Sequence, residues 1–285
     1  MDTAPKLHEA ERQPWSHLRL PPFSQVALRV LQLASSESLQ LHELSQLISA
    51  DPALASEILR IVNSAAYSPR VPIADVLQAI AVMGANHLQG LCLTVAVRGY
   101  IGKSIGNPAM HALWRHNLAC AAIAEQLAGV SYMDNDVAFT CGIMHDIGRL
   151  ALAAVYRNEY TELLRTHSGR AGSILARERE IFGKDHCEVG KQLVEEWALP
   201  EDFEPIVGRH HEPMAHECPC DLPSLVGLSC RMADAAGFPA FPGCEAEPFE
   251  ALLEEMPARE RQRFHTDVGT LIFEINRKIN AIESI

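Results

Sequence analysis

With 285 residues, 48% of them hydrophobic, the chain is long enough to bury one large core or two modest ones, which excludes an intrinsically disordered protein. Its 36 acidic against 24 basic side chains leave a net charge of -12, so no basic face is expected for a nucleic-acid duplex or an anionic membrane. The polar start MDTAPKLHEAERQPW has no apolar signal core, no run is expected to reach the roughly 20 apolar residues of a membrane span, and the expected location is cytoplasmic.

The periodicity is helical throughout, predicting an all-α fold in two lobes. Residues 1–17 read as a polar tail and 18–105 as an N-terminal helical bundle of four or five short helices. Within it, Leu41, Leu44, Leu47 and Ile48 keep helical spacing, as do Leu88, Leu91, Cys92 and Val95. Asp51 before Pro52 marks a helix start, because its carboxylate can accept from orphan amides and proline suits the first turn. That helix should end near Asn63 and Ser64, and the next should run from about Ala74 to Met83, stopped by Gly84.

Gly102, Gly106 and Pro108 interrupt the pattern, and a second helical lobe is expected over 106–240. Its first helix carries Trp114 and His116. Its second, from about Asp136 to Tyr156, carries His145 and Asp146; small Ala138 and Gly142 should let a neighbour approach, and Gly148 should loosen the following turn. Asp185 with Glu188 reads as a capping box that fixes His186 in a first turn. A further helix, begun by Pro200 and Glu201, should stop at His210 and His211 before Pro213. Asp234 lies on a helix from about Pro223 to Gly237. The remainder, 241–285, reads as part of an acidic, proline-rich surface excursion that starts near Phe238 and ends near Pro257, followed by a C-terminal helix with Leu271, Ile272, Ile275 and Ile279 that docks on a lobe.

His116, His145, Asp146, His186, His210, His211 and Asp234 form the mixture of imidazoles and carboxylates that borderline divalent cations bind, so one or two ions of Fe, Mn, Zn or Ni are expected if the fold gathers them. Histidines 8, 17, 42, 87 and 265 are expected to be solvated or hydrogen-bonded, and His111 and His167 to lie at the surface. The eight cysteines are scattered and suggest reduced fillers rather than a disulfide framework. His216, Cys218 and Cys220 lack a paired C-x-x-C spacing and are expected to form an ordinary loop.

The segments LPPFSQVALRVLQL, LISADPALASEILRIVNSAAYS and AIAVMG, followed by IMHDIGRLAL, EREIFGKDHCEVGKQLVEEWALPE and HHEP, resemble the HDOD family over about residues 18–240. This is the output-domain branch of the HD superfamily of metal-dependent phosphohydrolases. The resemblance implies an HD-like second lobe and a bacterial signalling or regulatory role, with a protein partner in a signalling pathway and a nucleotide or phosphoester as possible ligand. It carries the mononuclear HD pattern onto His116, His145, Asp146 and Asp234, and the further histidines of binuclear HD-GYP relatives onto His186, His210 and His211, with Asp146 placed to bridge two ions. EPMAHECP follows His210 and His211 where those relatives have a glycine-tyrosine-proline motif, and Arg149 stands at their usual lysine; both departures argue against cyclic di-GMP hydrolysis. Two functions remain: a regulatory module that keeps the ion for structure or sensing, which is the favoured reading, and a phosphohydrolase in which Asp146 helps activate water and Arg149 steadies developing phosphate charge. For Arg149 a helix-face salt bridge is as good a reading as a phosphate contact. A di-iron redox or gas sensor is chemically allowed. Access to the site discriminates between the first two: an open cleft favours hydrolysis, and occlusion by the N-terminal lobe favours regulation.

Overall fold

The computed structural model describes residues 23–34, 41–102, 106–212, 221–264 and 267–284. The expected polar tail, histidines 8, 17 and 265, and the segment with His216, Cys218 and Cys220 lie outside the described residues. The fold is all-α. Among the described residues five helices come first: α1 (Gln25–Ala34), α2 (Leu41–Ser49), α3 (Pro52–Val62), α4 (Val76–Met83) and α5 (Ala85–Ile101). The start of α3 is where the sequence puts it, with the Asp51 side chain accepting from the Ala53 and Leu54 amides at 3.1 Å each.

The following set is α6 (Pro108–Ser131), α7 (Asn135–Met144), α8 (Ile147–Val155), α9 (Arg157–Thr166), α10 (Ile174–Phe182), α11 (His186–Glu196), α12 (Phe203–Arg209) and α13 (Leu222–Ala235). The single helix expected from Asp136 to Tyr156 is two helices. His145 closes α7 and Asp146 opens α8, so the pair sits at a joint rather than on a helix flank. By length and composition the stretch Asn135–Val155 could cross a membrane, against the expectation that no run would; 89% of its apolar window is buried inside the protein, as befits a core helix.

The region 238–257 is not a surface excursion. Phe238, Ala240, Phe241, Phe249, Leu252 and Met256 are buried, α14 (Phe249–Glu254) forms within it, and α15 (Ala258–Arg263) and α16 (Val268–Glu283) follow. Its proline and acid content masks an irregularly spaced apolar set that fills the side of the core. A two-residue strand here, β2 (Gly243–Cys244), pairs in parallel with β1 (Ser168–Gly169). The last helix docks on α6 as expected, with Arg115 bonded to Glu283 at 2.9 Å and to Asn276 at 2.9 Å.

The apolar side chains form one continuous cluster from Phe23 to Ile282. Phe23, Tyr100 and Trp197 knit the first helices to the end of α11, with Phe23 stacked on Trp197 at a centroid distance of 4.6 Å and Tyr100 edge-on to Trp197 at 5.7 Å. Such aromatic pairs add to plain area burial, so the two helical sets share a core.

Candidate metal centre

Four chain segments meet at the buried heart of the second set. His116 comes from α6, His145 and Asp146 from the α7–α8 joint, His186 from the first turn of α11, and His210 with His211 from the end of α12. Two glycines permit the approach. A Cβ on Gly142 would stand 2.5 Å from the Ala121 Cα, so α6 and α7 touch backbone to backbone there, as the sequence suggests. At Gly148 a Cβ would stand 1.9 Å from the His186 carbonyl oxygen. The role of Gly148 is therefore close contact between α8 and α11, not a loosened turn; it brings His186 beside Asp146.

The Asp185 capping box is present and holds His186 at the helix start. His210 caps the C-terminal end of its helix, so the rings of His210 and His211 lie on the same side, 4.2 Å apart between centroids. Without the helix end, neighbouring side chains would diverge by about 100 degrees.

Each of four imidazoles is anchored through Nδ1. His116 donates to the Phe238 carbonyl at 2.8 Å, His145 to the Gly142 carbonyl at 2.7 Å, His210 to the Ile206 carbonyl at 3.2 Å, and His186 to Glu178 Oε2 at 2.6 Å. An acceptor at Nδ1 fixes the ring and turns Nε2 inward, the arrangement by which proteins orient metal-binding histidines. Around Asp146 Oδ1 the spacing is tight: 3.3 Å to His186 Nε2 and 3.3 Å to His210 Nε2, with His186 Nε2 3.4 Å from His210 Nε2 and 3.1 Å from His211 Nε2. Ligands bound tetrahedrally at about 2.0–2.1 Å stand roughly 3.3–3.4 Å apart. Asp146, His186, His210 and His211 thus fit a borderline divalent cation by donor type and by spacing.

Both carboxylate oxygens of Asp146 and the Nε2 of His145 are buried without a hydrogen-bond partner. Buried polar atoms in folded proteins are nearly always satisfied, and an unmatched set aimed at one point fits a cation. Asp146 also straddles two directions: Oδ1 faces the three histidines, while Oδ2 faces His145 Nε2 at 3.6 Å and Arg149 Nε at 3.2 Å.

Electrostatics reflect this crowding. Burial, reinforced by neighbouring His210 and His116 against the pull of Asp146, depresses His145 to about 3 and keeps it neutral. Burial would also lower His186, but Glu178 outweighs it and raises that ring to about 10. For Asp146, burial is more than offset by Arg149 and the surrounding histidines, which hold its carboxyl well below the usual range. Arg149 is fully buried, its Nη2 3.4 Å from both His186 Nε2 and His211 Nε2. The salt-bridge reading holds in buried form: Arg149 pairs with Asp146 three residues earlier, enclosed beside the candidate ligands.

Of the seven ligands named from sequence, six lie in this cluster. Asp234 stands behind His116 instead. Its Oδ1 accepts from the Ala240 amide at 3.0 Å and approaches His116 Nδ1 at 3.3 Å, on the ring edge away from the inward Nε2. Two participants escaped sequence reasoning. Glu178 is fully buried and takes the His186 backbone amide and imidazole on one oxygen and the Tyr160 hydroxyl on the other. Its signal was an acid placed between Ile174 and Ile181 on the apolar face of α10. Cys230, one turn before Asp234, puts Sγ 3.4 Å from His116 Nε2. Of the histidines assigned elsewhere, His87 is hydrogen-bonded to Asp136 at 2.8 Å and His111 to Glu283 at 2.8 Å.

Residues 20–213 match the HDOD domain family. The chain belongs to that family. Among solved structures, this HDOD domain is similar to an HDOD domain protein of unknown function from Geobacter sulfurreducens, at 20% identity and a TM-score of 0.69 over 94% of this chain and 93% of the other. It is also similar to a Marinobacter aquaeolei VT8 protein named as a proposed signal transduction protein, at 18% identity and a TM-score of 0.72 over 94% of this chain and 62% of that one. A Shewanella amazonensis SB2B protein named as a proposed metal-dependent phosphohydrolase matches at 17% identity, with a TM-score of 0.67 over 94% of each chain. A curated Treponema pallidum (strain Nichols) protein is 24% identical over 194 residues, which is 67% of this chain and 37% of that protein's length.

Proposed function

We propose that this HDOD domain is a signalling or regulatory module that holds a divalent cation in its second helical set and acts by binding a protein partner or a ligand. One observation carries the reading: the centre is enclosed on all but the His211 side. His116, Asp146 and Arg149 are 0% exposed, His145 and His186 1%, and His210 2%, while His211 is half-buried. Arg149 lies inside the same enclosed set, 3.4 Å from both His186 Nε2 and His211 Nε2. The enclosed side chains come from α6, the α7–α8 joint, α8, α11 and the end of α12. The N-terminal helices contribute no ligand and are left to present a docking surface.

The alternative is phosphoester hydrolysis, and one feature favours it. The Nη1 of Arg149 is buried without a hydrogen-bond partner, and a guanidinium fork is well suited to phosphate oxygens. In that reading Asp146, His186, His210 and His211 would hold an ion that supplies Lewis acidity and an activated water, and Arg149 would orient the phosphate.

The deciding experiment purifies the protein without added metal, measures metal per chain by elemental analysis, and assays the metal-loaded protein against nucleotides, cyclic dinucleotides and a generic phosphodiester. Bound metal, no turnover and recovery of a specific partner by in-cell crosslinking support regulation. Robust turnover abolished by Asp146→Ala, with no partner recovered, overturns it.

A further inference from the structure

Beside the Asp146 cluster lies a second set of converging donors that includes a sulfur. His116 Nε2, His145 Nε2 and Cys230 Sγ lie within 4.8 Å of one another, and all three residues are buried. Both rings are locked through Nδ1 to backbone carbonyls, so each presents a lone pair to the same space. Cys230 Sγ is 3.4 Å from His116 Nε2. A sulfur bound at about 2.3 Å and a nitrogen at about 2.0–2.1 Å on one tetrahedral ion stand roughly 3.5 Å apart. A thiol simply donating to His116 would account for that one contact. It leaves unexplained the Nε2 of His145, which is 1% exposed as a residue, has no hydrogen-bond partner, its nearest carboxylate oxygen being Asp146 Oδ2 at 3.6 Å, and points into the same space.

We propose that His116, His145 and Cys230 form a second cation position in which the Cys230 thiolate is a ligand. This rests on the metal-holding reading above and specifies the chemistry of its second ion. Sulfur with two imidazoles selects soft to borderline cations such as Zn²⁺, Fe²⁺ or Co²⁺ and discriminates against Mg²⁺ and Mn²⁺, which prefer oxygen. Asp234 then serves as a positioning residue: its carboxylate lies 3.3 Å from His116 Nδ1 and helps hold the ring, while Cys230, one turn earlier on α13, faces the ion. The position is separate from the Asp146, His186, His210 and His211 cluster and adjoins it through the joint that carries His145 and Asp146.

The test titrates the metal-free protein with Co²⁺ and follows the sulfur-to-cobalt charge-transfer absorption in the near ultraviolet together with the number of ions bound. Two ions per chain are expected, with charge-transfer intensity for one thiolate. Cys230→Ser should abolish that absorption and reduce the stoichiometry from two to one. His211→Ala and Cys120→Ser should both retain it. A 100-fold excess of Mg²⁺ or Mn²⁺ should not displace the sulfur-bound ion. Cobalt binding by the wild-type protein without the charge-transfer band overturns the thiolate position while leaving the other cluster standing, and this holds even if Cys230→Ser does not fold. A band that survives Cys230→Ser, or that vanishes in Cys120→Ser, overturns it equally. No cobalt binding at all overturns both this position and the metal-holding reading.

Discussion

Arg149 decides how the centre behaves without metal. A guanidinium 3.2 Å from Asp146 Oδ2 and 3.4 Å from two imidazole nitrogens supplies positive charge where a cation would otherwise be needed. Removing one partner of a buried ion pair is strongly destabilising, typically by about 3–5 kcal/mol, because the other charge is left uncompensated. Arg149→Met keeps the stem volume and removes the charge. The metal-free variant is expected to lose stability of that order, and added Zn²⁺ should restore more to it than to the wild type, since the ion replaces the missing charge. Denaturant midpoints with and without Zn²⁺ check this; equal gains in both proteins would show that guanidinium and ion do not share the charge of Asp146. His186 adds a pH dependence. Raised to about 10 in the metal-free fold, it must lose a proton to offer Nε2, so uptake at neutral pH should release close to one proton and strengthen about tenfold per pH unit. In the metal-free protein the raised pKa contributes stability that is full below the unfolded value of about 6.5 and is lost as pH rises through about 10. Asp146 and Glu178, both depressed, contribute stability present above about 4 and lost as pH falls through their lower folded values. Calorimetric titration in two buffers of different ionisation enthalpy counts the protons, and a count of zero would exclude an ion on His186.

At the scale of elements, close contact matters more than helix propensity. Gly148→Ala would place a Cβ against the His186 carbonyl, forcing α8 and α11 apart at a cost of about 1–3 kcal/mol for overpacking. Because the same contact sets the distance from His186 to Asp146, metal affinity should fall with stability. Asp51→Ala is the contrast: it removes a cap on α3, should cost about 0.5–2 kcal/mol, and should leave metal affinity unchanged. Thermal melts and competitive metal titration on both variants separate the effects. These elements also show what the sequence makes legible. Capped starts such as Asp51 with Pro52 and Asp185 with Glu188 were readable, because the chemistry of a helix end lies within four residues. The break between α7 and α8 was not, since Ile143, Met144, Ile147 and Leu150 are all buried and the apolar pattern runs through the joint. Histidine and aspartate types pointed to the centre, but Cys230 and Asp234 share one face of α13 a turn apart. Only the rotation of that helix against α6 decides which of them looks inward.

Across the whole molecule, α11 connects the candidate metal centre to the N-terminal helices. His186 opens that helix, and Trp197 caps its other end, stacked on Phe23 and edge-on to Tyr100. A packed helix transmits displacement because its interior has few voids to absorb it, so an ion that draws His186 toward Asp146 should also shift Trp197 against Phe23. A regulatory role for the centre requires such a route from ligand to surface, and the route needs a two-state element that metal biases. In a background carrying Trp15→Phe and Trp114→Phe, Trp197 fluorescence should change as metal is removed with a chelator, along a curve that follows metal content. The melting temperature should fall with it: an ion held at 100 times its Kd contributes about 2.7 kcal/mol, or about 5–10 °C for a chain of this size. If the melting temperature falls while Trp197 stays silent, the ion stabilises the second helical set without communicating with the first, and signalling must leave the centre by the α13 side.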